Sequence, residues 1–321
     1  EPQMETELRK EMKTKADAEA LEVFAKNLNQ LLLQPPLGQK RILGIDPGFA
    51  SGCKLVCLDE QGSLLHNETI YPHASKNQKG PAASKIRQLV EAYKIEAIAV
   101  GNGTAGRETE QFLLKQALPA EVEVYIVNED GASVYSASPL ARKEFPKFDL
   151  TVRGAVSIGR RLMDPLAELV KIPPQSLGVG QYQHDISENL LKDRLGLEVE
   201  RVVNQVGVDL NTASAELLKH VSGLGSQLAE HIVQYREEHG KFSSRQELLK
   251  VPRLGAKAFE QSAGFLRISS PKHPLDQTGV HPERYGVLES FAQSKGLSLE
   301  EMVGNEQIKS LDWSDLEQAV G

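Results

Sequence analysis

Residues 41–58, RILGIDPGFASGCKLVCL, decide the fold. Ile42, Leu43 and Ile45 crowd one short run, the pattern of a strand buried on both faces. The run ends on Asp46, Pro47-Gly48 breaks it, and Cys53 opens a second apolar run. A carboxylate at the end of a buried strand costs free energy unless a partner or a metal ion holds it. Asp-Pro-Gly is equally good turn chemistry, in which Asp46 simply starts the turn. On this stretch alone both readings stay open.

Working outward, residues 39–165 read as one domain. Strands are predicted at 41–46, 53–58 and 64–71, a meander whose second turn is Asp59-Glu60-Gln61-Gly62. A helix over 82–93 turns Ile86, Leu89 and Val90 inward, and a short strand over 97–100 ends in Gly101-Asn102-Gly103-Thr104. A helix over 107–117 and a strand over 122–127 follow, the latter ending in Asn128-Glu129-Asp130-Gly131, and then come helical pieces near 131–138 and 150–162. Three meandering strands followed by alternating units imply an α/β domain with a mixed five-stranded sheet and helices on both faces. Ligands of such sheets bind at the carboxyl ends of the parallel strands. Asp46, the 101–103 turn and Glu129 all fall at predicted strand ends. The 101–104 loop lacks the spacing and lysine of a P-loop; its expected use is to shape the cleft beside Asp46, with Asn102 reaching a metal or the backbone.

The flanks are helical. Residues 1–38 form an N-terminal helical segment with Leu21, Phe24, Leu28, Leu31 and Leu32 at helical spacing, stopped by Pro35-Pro36. Residues 166–200 are a helical connector, with a short helix over 187–195 closed by Gly196. Residues 201–270 hold a duplication in an all-α setting: helix, tight turn, helix around VSGLG (221–225), then again around VPRLG (251–255). Residues 271–321 are a C-terminal helical segment. Around its start, 269–285 is Pro- and His-rich and reads as linker; helices lie near 285–295, 299–303 and 316–320, and Trp313 packs.

The chain has 321 residues, 40% of them hydrophobic, and a net charge of −7. That balance excludes a uniformly basic nucleic-acid binder but leaves local basic patches open. Arg142, Lys143, Lys147, Arg153, Arg160 and Arg161 follow the Glu129 loop, either as a track for nucleic acid or as a solvated helix face. Cys53 and Cys57, the two cysteines, share one face of a strand and read as buried small residues. They form no disulfide framework or zinc site, which fits a reducing, cytoplasmic setting. No run approaches a membrane span and no signal peptide opens the chain. The first residues start abruptly in helix-like sequence, as in a piece of a longer protein.

An Asp ending strand one, a Glu ending the last strand and an acid before the last helix are the layout of the RNase H superfamily. The third acid is placed at Asp149. Three such carboxylates can share two Mg²⁺ ions for phosphodiester cleavage. Alternatively, Glu129 and Asp149 cap helices, as acids at N-termini do. Longer blocks carry a more specific resemblance: ILGIDPGFASGCKLVCLDEQG, IYPH, VGNGTAGRETE, VNEDGASVYSASPLA, DLTVRGAVSIGRRLMDPLAELVKIPP and VGQYQHDI. Together they resemble the Tex family of bacterial transcription accessory proteins, with 39–162 similar to a YqgF domain, a relative of RuvC-type resolvases. The resemblance maps the family's acids onto Asp46, Glu129 and Asp149, with Mg²⁺ or Mn²⁺ as the implied metal. It also implies association with transcription machinery, and full-length members carry a further N-terminal helical region and an OB-fold RNA-binding module. His184, in the QYQHD connector motif, is expected to pack between elements.

The duplicated turns resemble a tandem helix-hairpin-helix. Hairpin glycines leave backbone N–H groups bare at the start of the second helix, where they meet phosphate oxygens without reading bases. The expected contacts are Gly223, Leu224, Gly225, Ser226 and Gln227 in the first hairpin, and Arg253, Gly255 and Lys257 in the second, where Arg253 replaces a glycine. The alternative is two tight turns that only pack helices. The leading expectation is a nucleic-acid-binding scaffold for RNA or DNA, independent of sequence and needing no cofactor to bind. The alternative is a Mg²⁺- or Mn²⁺-dependent nuclease using Asp46, Glu129 and Asp149.

Overall fold

The structure, a computed structural model, describes residues 2–303; the helix expected near 316–320 and Trp313 lie outside them. The chain divides into two compact units, 1–199 and 200–321.

In the first unit, α1 (Pro2–Leu32) precedes β1 (Ile42–Asp46), β2 (Cys53–Leu58), β3 (Leu64–Ile70), α2 (Lys76–Ala92), β4 (Ala97–Gly101), α3 (Gly106–Leu114) and β5 (Glu123–Val127). Then come α4 (Ala132–Ala137), α5 (Pro139–Glu144), α6 (Leu150–Met163), α7 (Pro165–Leu169) and α8 (Glu188–Val206), whose last residues from 200 on belong to the second unit. The sheet order is β3-β2-β1-β4-β5. β1 pairs antiparallel with β2 and parallel with β4, so the mixed five-stranded sheet expected from the sequence is present.

Alternation along β1 sorts its side chains between two cores. Leu43 and Ile45 join Cys53, Leu55, Cys57, Ile86, Leu89 and Val90 on the face covered by α2 and α3. Ile42 joins Val56, Leu58, Ala155, Val156 and Ile158 on the α6 face. Both cysteines are free and buried, on one face as expected. Period two places Gly44 and then Asp46 on the α6 face. There the helix comes very close: a Cβ on Gly44 would lie 2.7 Å from the Ala155 carbonyl oxygen and 2.9 Å from Val56 Cγ2. Across the contact, a Cβ on Gly159 would lie 2.7 Å from Leu58 Cδ1.

Several sequence expectations change. The basic residues after Glu129 are not one track. Arg153 is buried and donates to the Phe145 and Ser136 carbonyls. Arg161 is buried and donates to the Asn128 and Asp130 carbonyls at 2.8 Å. Arg160 pairs with Glu144 at 2.7 Å and lies over the Phe145 ring. Their forked donors are directed to backbone carbonyls and to Glu144; Arg142, Lys143 and Lys147 are exposed. In the connector, Gln183 is the buried member of the QYQHD motif, accepting from Val179 N and donating to the Gln175 carbonyl, while His184 is exposed. α1 buries Phe24, Ala25, Leu28 and Leu32, with Asn27 donating to the Val179 carbonyl at 2.7 Å. The helix expected to stop at Gly196 continues to Val206 as α8. Leu191, Leu195, Val199, Val202 and Val203 are all buried on it, and that burial outweighs the roughly 1 kcal/mol a mid-helix glycine costs.

The second unit contains β6 (Val208–Asp209), α9 (Ala215–Leu218), α10 (Gly225–His239), α11 (Ala256–Ser262), β7 (Leu266–Arg267), α12 (Tyr285–Ser294) and α13 (Leu299–Met302). β6 and β7 pair parallel and tie the start of the duplication to its end. Residues 269–285 are not a free linker. Arg245, fully buried, donates to the Val280 carbonyl at 2.6 Å, to the Thr278 carbonyl and to the Tyr285 hydroxyl at 2.9 Å. Buried Asp276 accepts from Arg245 N at 3.0 Å and from Tyr285 Oη at 2.6 Å. These bonds fix the segment against the second hairpin's helical turn.

The β1–α6 contact makes a ranked prediction. Gly44→Ala meets a backbone carbonyl, whereas Gly159→Ala meets a side-chain methyl that can rotate. Gly44→Ala should cost about 1–3 kcal/mol and Gly159→Ala less, read as shifts of the urea midpoint of the first unit's transition. Equal midpoints would remove this contact as the limit on packing.

Candidate carboxylate cleft and nucleic-acid interface

Asp46 closes β1 on the α6 face, half-buried, with its Oδ2 at 3.5 Å from where a Cβ on Gly154 would sit. Glu129 follows β5. Its backbone N donates to Asn102 Oδ1 at 3.0 Å, and Asn102 N donates to the Val127 carbonyl. Asn102 therefore ties the two parallel strand ends together through backbone contacts. The Glu129 carboxylate lies in the 101–103 turn: a Cβ on Gly101 would fall 2.0 Å from Oε2, and one on Gly103 1.6 Å from Oε1. Glycine at both positions is what makes room for this acid.

The cleft is electrostatically uncompensated. Burial, then the charge of Glu129, raises Asp46 from 3.8 to about 6, against a smaller downward pull from Lys54. Lys54 is the cross-strand partner of Asp46, and its Nζ donates to the Ser51 carbonyl. Burial also raises Glu129, although Gly103 N–H and the nearby Arg161 act the other way. Glu129 Oε2 is buried without a hydrogen-bond partner.

Asp149 behaves differently. It is exposed and caps α6, its Oδ1 accepting from Thr151 N at 2.9 Å, Thr151 Oγ1 at 2.8 Å and Val152 N at 3.0 Å. These donors hold its carboxyl below the usual range. Among the described residues, no three His, Cys, Asp or Glu side chains are grouped to hold a metal ion. The cleft thus brings Asp46 and Glu129 together and leaves Asp149 as a cap. The uncompensated pair and the orphaned oxygen suit one divalent cation; a three-carboxylate, two-ion set is not assembled.

Beside the cleft lies a cluster that the sequence reading did not single out. Buried Thr109 Oγ1 is 2.9 Å from His73 Nε2 and 3.6 Å from Cys53 Sγ, and Phe49 packs edge-on against His73. The signal for it was the IYPH and GRETE blocks, whose residues meet only after folding.

The two hairpins of the second unit are built alike. Val221 and Leu224 are buried, as are Val251 and Leu254, and in each turn the leucine N–H donates to the valine carbonyl at 3.1 Å. Gly223 has φ +84° and Arg253, at the matching position, φ +64°. Arginine therefore occupies a left-handed backbone conformation that favours glycine, with its side chain exposed. Leu224, expected at the interface, is a core anchor, because its amide is spent in the turn and its side chain is buried. Gly223 also packs inward, since a Cβ there would lie 2.6 Å from Gln261 Cβ. Gly225, Ser226 and Gln227 are exposed at the first turn of α10, which no side chain caps and whose first amides have no partner within the helix. Gly255 and Lys257 are exposed, with open space around Gly255.

These features define the class: an RNase H-like YqgF domain followed in sequence by helix-hairpin-helix domains. Residues 40–163 match the family model of the Tex protein YqgF-like domain, 203–267 the helix-hairpin-helix motif and 273–320 an HHH domain. The chain belongs to the Tex family. It is 52% identical to the uncharacterized protein YdcI of Bacillus subtilis, covering 96% of this chain and 43% of the relative. It is 50% identical to protein YhgF of Escherichia coli (97% and 41%) and 48% identical to the transcriptional accessory protein Tex of Neisseria gonorrhoeae (97% and 42%). The chain thus spans under half the length of these relatives. The match over 273–320 adds a family to the helical C-terminal segment: α12, Gly296 at φ +69° and the capping box of Ser298 and Glu301 form a helix–turn–helix. The Lys-Gly-Leu-Ser-x-x-Glu run was its sequence signal.

Asp46 sets a pH dependence with a definite sign. Its raised value means the folded state holds the proton more tightly, so its contribution to stability is full below about pH 4 and lost as pH rises through about 6. Asp46→Asn should therefore melt higher than the parent above about pH 7, with the gap closing towards pH 4. Mg²⁺ should raise the parent's melting temperature and not the variant's. A variant that melts lower at neutral pH would show that the carboxylate is compensated.

Proposed function

We propose that this chain is the nucleic-acid-holding part of a transcription accessory protein, gripping the phosphate backbone of RNA or DNA through its hairpins without reading base sequence. The observation that carries this reading is the repeated hairpin geometry. Each turn buries its leucine and presents polar or cationic groups outward: Gly225, Ser226 and Gln227 in one, Arg253, Gly255 and Lys257 in the other. Exposed amides and cations suit phosphate oxygens, which carry no sequence information. The relative named for a role as a transcriptional accessory protein supports the cellular context, and we extend to this chain an association with transcription machinery. Two free buried cysteines fit a reducing compartment, so we place the protein in the cytoplasm. No helix among the described residues is long and apolar enough to cross a membrane.

A second reading rests on the orphaned Glu129 Oε2 beside Asp46. This pair would hold a divalent cation, which when bound supplies Lewis-acid stabilisation to a phosphodiester. Asp46 and Glu129 would hold the ion, with Glu129 placed by the room that Gly101 and Gly103 leave for its carboxylate. Asp149, committed to its helix cap, would act through the electrostatics of the cleft. On this reading the chain is a Mg²⁺- or Mn²⁺-dependent nuclease; on the first, holding is the primary activity.

Two experiments test these statements. Arg253→Glu combined with Lys257→Glu should weaken binding to oligonucleotides of unrelated sequence alike and flatten the dependence of log Kd on log salt by about two. An unchanged slope would remove the second hairpin from the interface. Incubation with Mn²⁺ and single-stranded, duplex or branched DNA should leave substrates intact; cleavage abolished by Asp46→Asn would make the chain a nuclease.

A further inference from the structure

Three rings form a ladder from the core of the second unit to its surface. Phe242 is buried. Half-buried Tyr235 stacks on it, centroids 5.4 Å apart and planes 24° apart. Tyr235 also stacks with exposed His239 at 4.2 Å and 12°. His239 Nδ1 is held 3.1 Å from the Tyr235 carbonyl oxygen, which fixes the ring on its rung. Offset stacking of this kind adds to area burial for each ring pair, so the outermost ring is held in place before any ligand arrives.

Beside the outer rungs is a cavity of about 340 Å³ whose wall includes His231, Tyr235, His239, Lys250 and Pro252. That volume is at the small end for ligand sites of about 300–1,000 Å³, which suits one planar base better than a larger molecule. His231 Nδ1 lies 3.0 Å from the Pro252 carbonyl oxygen, and Pro252 immediately precedes Arg253 of the second hairpin. The cavity therefore opens next to the hairpin's cation. Glu238 is also on the wall, hydrogen-bonded by Gln234 at 2.8 Å; its charge disfavours phosphate on that side and leaves the Lys250 and Arg253 side for a backbone.

We propose that this cavity is a base-stacking subsite for single-stranded nucleic acid: an unpaired base lies on His239 as the next rung, with its phosphate against Lys250 and Arg253. The proposal rests on the hairpin reading above for the phosphate and adds the strand class. A paired base is already stacked inside its duplex and cannot enter, whereas stacking on an aromatic ring accepts any unpaired base.

The test uses the full 321-residue chain with oligothymidylate, oligouridylate and a closed DNA hairpin duplex. His239→Ala should lower affinity for both single strands by about 5- to 150-fold and leave duplex affinity unchanged, and His239→Trp should restore single-strand binding. A 2-aminopurine base in the single strand should be quenched by the parent and not by His239→Ala. Equal loss on single strand and duplex, or no loss on either, overturns the subsite. Loss confined to one sugar type points to a sugar contact and also overturns it. Arg253→Glu separates the two readings: if it changes nothing while His239→Ala acts on single strands alone, the hairpin reading fails and the stacking site stands. A parent that binds neither form overturns both.

Discussion

The first unit depends on one close approach, that of α6 to the middle of β1. Gly44 and Gly159 leave no side chain between helix and strand. The approach fixes what else α6 can reach. It carries Arg153 and Arg161 into the interior, where they collect the carbonyls of Phe145, Asn128 and Asp130. Those carbonyls belong to the segments that leave β5 and enter α6, so the helix holds the loop bearing Glu129. Burying a guanidinium is costly unless its donors are used. Arg153 offsets that cost by donating to the Phe145 and Ser136 carbonyls, whereas Arg161 uses only Nη1, on the Asn128 and Asp130 carbonyls, and leaves Nε and Nη2 buried without a partner among the described residues.

The carboxylate cleft follows from this arrangement. Asp46 faces α6 because strand alternation puts it two residues after Gly44, and Glu129 faces Asp46 because two glycines clear the turn between the parallel strands. Burial raises the proton affinity of both acids; the charge of Glu129 adds to it at Asp46 and that of Asp130 at Glu129, while Lys54 acts against it at Asp46 and the Gly103 N–H and Arg161 act against it at Glu129. The result is a site short of positive charge. By contrast, Asp149 has its hydrogen-bonding capacity directed to the first turn of α6, and its low proton affinity comes from those bonds.

The second unit is organised around a different buried group. Arg245, with no exposed surface, reaches Val280, Thr278, Asp276 and Tyr285. One side chain thereby joins the second hairpin to the segment that begins the third helix pair. The hairpins use their valine and leucine for packing and keep glycine, polar and cationic residues outside. This division of labour lets Arg253 stand at the position matching Gly223: the left-handed conformation is retained and the side chain is exposed.

The sequence by itself determined the mixed five-stranded sheet, the succession of its elements along the chain and the duplication. Those follow from period-two and period-3.6 apolar patterns and from Gly and Pro punctuation, all local. It also singled out Asp46 and Glu129, because strand ends are legible from where apolar runs stop. Only the tertiary structure decided which acids meet, which arginines are internal and where α8 ends. Arg153 and Arg161 read as surface charge because the carbonyls they satisfy lie 8 to 33 residues away in sequence. Residues 269–285 read as linker because the carbonyls that their anchor, Arg245, satisfies lie 33 and 35 residues away in sequence. Leu224 read as a contact because sequence cannot tell a bare amide from one spent across a turn. The Phe242–Tyr235–His239 ladder was invisible for the same reason: ring planes and burial are set by packing, and no spacing rule encodes them.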